Sequence, residues 1–199
     1  MPGIVGFQGP MDAAASTALM HSLLGALDPD ALDGGRDQRR NGTGNHPYVD
    51  CFAAANLGLG RVHLGIVDPQ PFGEYHGVKL GFKGRLDRPA SVDEVVRRVL
   101  PCGDEPRAML RFGPASVSTV AVVSGGAPFE VLQAIAEGLD LYVTGEPSHS
   151  VYHEAMEAGI NFAAAGHHAT EVHGVKAVAE RVARDLGIRT LFIEYPTGL

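Results

Sequence analysis

The sequence predicts an α/β protein built on a layered sheet that is at least partly parallel. Short β-branched apolar runs alternate with segments of helical periodicity from residue 119 onward. Glycine and proline signals separate the runs at each junction, and the resulting order is β-α-β-α-β-α-β.

The run "TVAVVS" (119–124) reads as the first buried strand of this half and is closed by Gly125 and Gly126. The helix predicted from "APFEVLQAIAEGLD" places Val131, Leu132, Ile135, Ala136 and Leu139 on one face. A second short strand, "LYVT" (141–144), stops at Gly145. Pro147 and Gly159 then bracket "PSHSVYHEAMEAG" as the usual start and stop of a helix. "INFAAA" is the third strand. "GVKAVAERVARDLG" (174–187) is a helix by the spacing of Val175, Val178, Ala179, Val182 and Leu186. "RTLFIE" (189–194) is read as the fourth strand.

The first half is less regular. "MDAAASTALMHSLLGAL" (11–27) predicts a helix, and "DPDALDGGRDQRRNGTGNHP" (28–47) reads as loop or poorly ordered chain. Strands and turns are expected over 67–89. "SVDEVVRRVL" (91–100) starts a helix with Ser91 and Glu94 at capping-box spacing. The organisation expected is a divergent segment over 1–45, a remnant of a first lobe with its connection over 46–100, and a C-terminal α/β lobe over 101–199.

At 199 residues, 45% hydrophobic and 20% charged, the chain can bury a core. Its formal charge of −7 and a single tight basic cluster, "RDQRR", argue against nucleic acid as a partner. Cys51 and Cys102 make neither a disulfide framework nor a CxxC pair, which suits a reducing compartment. The sequence has no 18-residue apolar run and no signal-peptide pattern at its start, so a cytoplasmic protein without a membrane partner is expected.

The chemistry concentrates in "GHHATEVHG" (166–174). It follows a strand end, where open α/β sheets place ligands. If a helix begins there, His167 and Glu171 are four apart and share a face. One imidazole with one carboxylate suits Zn, Mn or Fe(II) better than Mg or Ca. The competing reading makes Glu171 a cap for the following helix and His168 a surface residue. His149 and His153 have the same four-residue spacing, as a metal clamp or as one packed and one exposed histidine. Glu146 in "TGEP" precedes a helix and reads as a carboxylate favoured by the helix dipole, or as part of the site. His46 and Asp50 in "NHPYVD" also stand four apart, with Pro47 arguing against a helix between them. "SGGAP" lacks the lysine of a P-loop.

Taken together, "PFGEYHGVKLGFKG", the Gly-Gly turn, "TGE" and above all "GHHATE" resemble the Nif-three-like family, often labelled GTP cyclohydrolase 1 type 2 homologues. The resemblance covers roughly residues 70 to 199. It implies an α/β protein that binds two adjacent metal ions and assembles as a ring-like hexamer of dimers. It carries the ligand roles of the motif to His167 and Glu171, and places His153 where bacterial relatives have histidine. "HPYVD" matches the family's HxxxD spacing, so the resemblance makes Asp50, and with it His46, metal ligands. The adjacent His-His pair of the family's first half is absent. One divalent ion (Zn, Mn or Fe) is therefore expected, against two in the family. The functions implied are a metal-dependent hydrolase acting on a small molecule or nucleotide, with Glu146 or His153 transferring protons, or a non-catalytic metal-binding or assembly module.

Overall fold

The computed structural model describes residues 64–100 and 104–195. They form one six-stranded sheet with helices on both faces. Two long strands, β1 (Ile66–Tyr75) and β2 (Val78–Ala90), make an antiparallel hairpin that turns at His76 and Gly77. Helix α1 (Val92–Val99) follows, then β3 (Ala108–Arg111) and β4 (Val117–Val123). A 3-10 turn (Pro128–Glu130) leads into α2 (Val131–Ala136), then β5 (Leu141–Thr144), α3 (Val151–Ala158), β6 (Asn161–Ala164) and α4 (His167–Leu186).

The strand order is β1-β2-β4-β5-β6-β3. The central trio β4, β5 and β6 is parallel, and β2 and β3 flank it antiparallel. The trio is buried on both faces, as a parallel sheet between helix layers requires. Val120, Val122, Leu141, Val143 and Ala163 point to one face, where the valines of α1 cover them. Ala121, Val123, Tyr142, Phe162 and Ala164 point to the other, against α2 and α3. There the Tyr142 ring lies between Phe72 and Phe162, with centroids 6.1 and 5.9 Å away. Its hydroxyl donates to the Ala127 carbonyl at 2.5 Å. Burial, and then the nearby Glu130 charge, push the phenol well above its ordinary pKa and keep it a donor.

The α/β, partly parallel expectation is met; α3 starts at Val151 rather than at Pro147, and two larger differences stand beside that one. The segment 189–194 is not a strand: it runs irregularly after α4, with Leu191, Ile193 and Tyr195 exposed. The reason lies at the edge of the sheet. Beyond β6, the position a fourth strand would take is filled by β3, whose pairing with β6 spans Ala108 to Arg111. The second difference is where α4 begins. It starts at His167 rather than near Gly174, so the whole histidine-rich stretch is helical. The segments 11–27 and 28–47, and both cysteines, lie outside the described residues. Among the described residues no helix is long and apolar enough to cross a membrane.

Helix α1 shows how local sequence sets a boundary. The Ser91 hydroxyl accepts from the Glu94 N–H at 3.2 Å, and the Glu94 carboxylate accepts from the Ser91 N–H at 2.9 Å. That reciprocal pair closes the helix start above Val92, Val95, Val96 and Val99, which are buried. Ser91→Ala should cost about 1 kcal/mol in urea unfolding. The bonds from Ser91 hold the Glu94 carboxyl below its ordinary pKa. A depressed folded-state pKa stabilises above the unfolded value and ceases to do so as pH falls through the folded value. Glu94→Gln should therefore lower stability in urea at neutral pH, leave the acid end close to wild type, and so flatten the acid limb between them.

Candidate functional site

Because β4, β5 and β6 are parallel neighbours, their carboxyl ends emerge side by side. Each ends in glycine next to a residue of the site: Ser124-Gly125-Gly126 after β4, Gly145-Glu146 after β5, and Gly166-His167 after β6. Hydrogen bonds continue past the strands. The Gly145 N–H donates to the Gly125 carbonyl at 2.9 Å, and the Gly166 N–H to the Gly145 carbonyl at 2.8 Å. At Gly145 a Cβ would stand 2.7 Å from both the Gly125 oxygen and the His167 Cα. Only glycine permits that approach.

With α4 starting at His167, Glu171 lies one turn further along the same face. His167 Nε2 and a Glu171 carboxylate oxygen are 3.2 Å apart. The other ring nitrogen, Nδ1, is 2.6 Å from Glu146 on the β5 loop. Glu171 sits in the second turn and so does not cap the helix. Glu146 precedes α3 by five residues, and its carboxylate is directed to the imidazole rather than to the α3 start. The Gly125 turn packs against the pair. Gly125 has φ +72°, and a Cβ there would lie 2.9 Å from Glu171 and 3.3 Å from His167 Nε2. A Cβ on Gly126 would meet Glu146 at 3.1 Å.

Two carboxylates on one imidazole make this trio a place where a cation would be favoured. If Nδ1 donates its proton to Glu146, the neutral ring leaves Nε2 without a proton and 3.2 Å from a carboxylate oxygen, so two acceptors stand close together. A proton on Nε2 or a cation beside it removes that conflict. Two donors each about 2.1 Å from one ion stand about 3.0–3.4 Å apart at angles between octahedral and tetrahedral. The observed separation fits that window. A carboxylate on the far nitrogen is the usual orienting partner of a metal-ligating histidine. Among the described residues no group of three or more His, Cys, Asp and Glu side chains is arranged to hold a metal ion. The described chain thus offers two direct donors and one orienting carboxylate. Asp50 and His46 lie outside the described residues.

The structure separates the other candidates from this centre. His168 turns to the C-terminal segment, with Nε2 2.6 Å from Glu194 and its side chain only 12% exposed. That bond chiefly holds the Glu194 carboxyl below its ordinary pKa. His153 is on an exposed face of α3, edge-on to the Tyr152 ring at 5.3 Å. His149 precedes α3, so it forms no helical pair with His153. Beside His167 and Glu171 is a pocket of about 280 Å³ whose walls include Tyr75, Leu80, Val123 and Ala127. Sequence reading had no signal for Tyr75, which the hairpin brings there from far along the chain. It also passed over Thr170, although that residue stands inside the "GHHATE" motif.

A family model described as Duf34/NIF3 (NGG1p interacting factor 3) matches residues 21–197. A protein of Halobacterium salinarum named "GTP cyclohydrolase 1 type 2 homolog" is 44% identical over 139 residues, which span 68% of this chain and 54% of that protein. One of the same name from Archaeoglobus fulgidus is 40% identical over 136 residues, with the same coverage of 68% and 54%. The chain therefore spans about half the length of these relatives. Among solved structures, protein ybgI, titled as of unknown function, aligns with TM-score 0.64 and 31% identity over 77% of this chain and 59% of that one. TTHA1606 from Thermus thermophilus aligns with TM-score 0.59 and 33% identity over 76% and 60%. The chain belongs to the Duf34/NIF3 family.

Proposed function

We propose that this chain binds a divalent cation through His167 Nε2 and Glu171, and that the bound ion serves hydrolysis of a small molecule held in the adjoining pocket. The observation that carries the reading is the 3.2 Å approach of those two atoms while Nδ1 is committed to Glu146. When bound, such an ion supplies Lewis-acid polarisation of a substrate oxygen and lowers the pKa of water. The protein's part is positional. Glu146 fixes the imidazole plane and tautomer, the Gly125–Gly126 turn leaves room for the donors, and Tyr75, Leu80, Val123 and Ala127 limit water on one side. Asp50 and His46 complete the ligand set in this proposal, giving one ion per chain, or two as in the family resemblance. Zn, Mn and Fe suit the nitrogen and oxygen donors. The relatives' names suggest a nucleotide substrate, but among the described residues the pocket lining contains no lysine or arginine to meet a polyphosphate. Homo-oligomeric assembly, hexameric by resemblance, and a cytoplasmic setting belong to the same proposal.

A second reading, a metal-binding or assembly module without catalysis, is favoured by the two-donor count among the described residues. Metal content after purification without tag or chelator is the measurement on which both readings turn. His167→Ala and Glu171→Ala should each lower occupancy, His168→Ala should leave it close to wild type, and Glu146→Gln should weaken affinity by about 10–100-fold. Equal occupancy in all four would reject the assignment. Asp50→Asn tests the remaining ligand: unchanged metal content removes it from the set. Gly125→Ala forces a side chain into a left-handed position, at about 1–2 kcal/mol, and pushes a methyl group between the donors. It should abolish metal uptake in a protein whose circular dichroism spectrum is preserved. Metal bound at wild-type affinity in that variant would show that the turn does not border the ion.

A further inference from the structure

We propose that Thr170 is a positioning residue of the His167–Glu171 pair, setting the distance between helix α4 and the Gly125 turn that borders both donors. The inference rests on the metal-binding reading above. Thr170 is fully buried. Its hydroxyl accepts from the Gly125 N–H at 3.0 Å and gives its one proton to the carbonyl of Gly166 or His167, each 3.0 Å away. A single oxygen atom thus ties the turn after β4 to the first turn of α4.

The carbonyl of Gly125, in the next peptide group, is held from another side. It accepts from the Gly145 N–H at 2.9 Å and from the Thr144 hydroxyl at 3.2 Å. Thr144 is itself fully buried and accepts from the Ala127 N–H at 3.3 Å. Thr144 and Gly145 therefore fix the turn to the sheet, while Thr170 fixes it to the helix that carries the donors. The distinction matters because the turn fits the pair with no slack: a single added carbon at Gly125 would come within 2.9 Å of Glu171. Without the Thr170 hydroxyl, a buried Gly125 N–H loses its partner, and the turn moves to find another. Movement of the turn changes the space at the donors without removing either of them.

The test compares Thr170→Val, which keeps shape and removes the hydroxyl, with Thr170→Ser, which keeps the hydroxyl. Zn(II) affinity is measured by competition with a chromogenic chelator, alongside thermal melting and nitrogen–proton spectra that report the Gly125 amide and the His167 ring. We expect Thr170→Val to weaken Zn(II) binding at least about 10-fold, the scale of an orienting contact, and Thr170→Ser to stay within about 2-fold of wild type. A lowered melting temperature with unchanged Zn(II) affinity in Thr170→Val would overturn the proposal, as would an equal loss in both variants. If wild type takes up no Zn(II), the metal reading fails, and the positioning claim is decided on metal-free protein. Displaced Gly125 and His167 signals in Thr170→Val, restored in Thr170→Ser, support it; an unmoved His167 signal refutes it. Should Thr170→Val not fold, Thr144→Val removes one of the donors to the carbonyl of the same residue. It should then perturb the Gly125 amide while sparing Zn(II) affinity more than loss of the Thr170 hydroxyl predicts, and a loss of 10-fold or more there would contradict the division of roles.

Discussion

Three loops meet at the end of the parallel trio, and their junction depends on glycine: Gly125 and Gly145 stand where another chain segment passes, and Gly166 takes a φ of +105°. Gly145 sits between the Gly125 carbonyl and the His167 Cα, at distances no side chain would survive. This close approach brings Glu146, from one loop, within hydrogen-bond reach of an imidazole that opens the next helix. It also makes the Gly125 turn a wall of the His167–Glu171 pair. The site is consequently a property of the sheet end as a whole, since its parts come from all three segments that leave the parallel strands.

The charge arrangement follows from that geometry. Two carboxylates flank one imidazole, and both ring nitrogens face oxygen acceptors. In water, such groups would be screened and mobile. Here the Glu171 side chain is only 13% exposed, so less water is available to compensate the contact. In the metal-binding proposal a cation between Nε2 and Glu171 would turn a close approach of two acceptors into a pair of ligands, with Glu146 strengthening the donor through the opposite nitrogen. The adjacent histidines take different parts for the same geometric reason. His168 is rotated toward Glu194, beside Lys176, whose ammonium lies 4.5 Å above the Phe192 ring. It fastens the C-terminal segment to α4 and has no share in the pair.

Much of this was legible in the sequence where local rules govern. The valine-rich β4, the apolar "LYVT" and the capping box at Ser91 each carry their structure in a few neighbouring residues. The HxxxE spacing likewise announces a shared face as soon as a helix starts at His167. Non-local features were harder. The segment 189–194 has strand composition, but whether it pairs depends on an edge that β3, some eighty residues earlier in the sequence, has already filled. The helix start at His167 was hidden because Gly166 provides no side-chain cap, so the usual signal is missing. Thr170 is an ordinary residue type for its place, and its role depends on a partner 45 positions away. Tyr75 reaches the pocket only through the hairpin.

A divalent ion between the Nε2 atom of His167 and the Glu171 carboxylate, with Nδ1 reserved for Glu146, is the claim on which the rest turns. Anomalous diffraction from crystals grown with Zn(II), collected on both sides of the zinc absorption edge, tests this directly. The expected result is an edge-dependent peak about 2.0–2.2 Å from both His167 Nε2 and a Glu171 oxygen, with the Glu146 contact intact. A peak on Nδ1, at His168 or His153, or no peak at the end of the parallel strands, would contradict it.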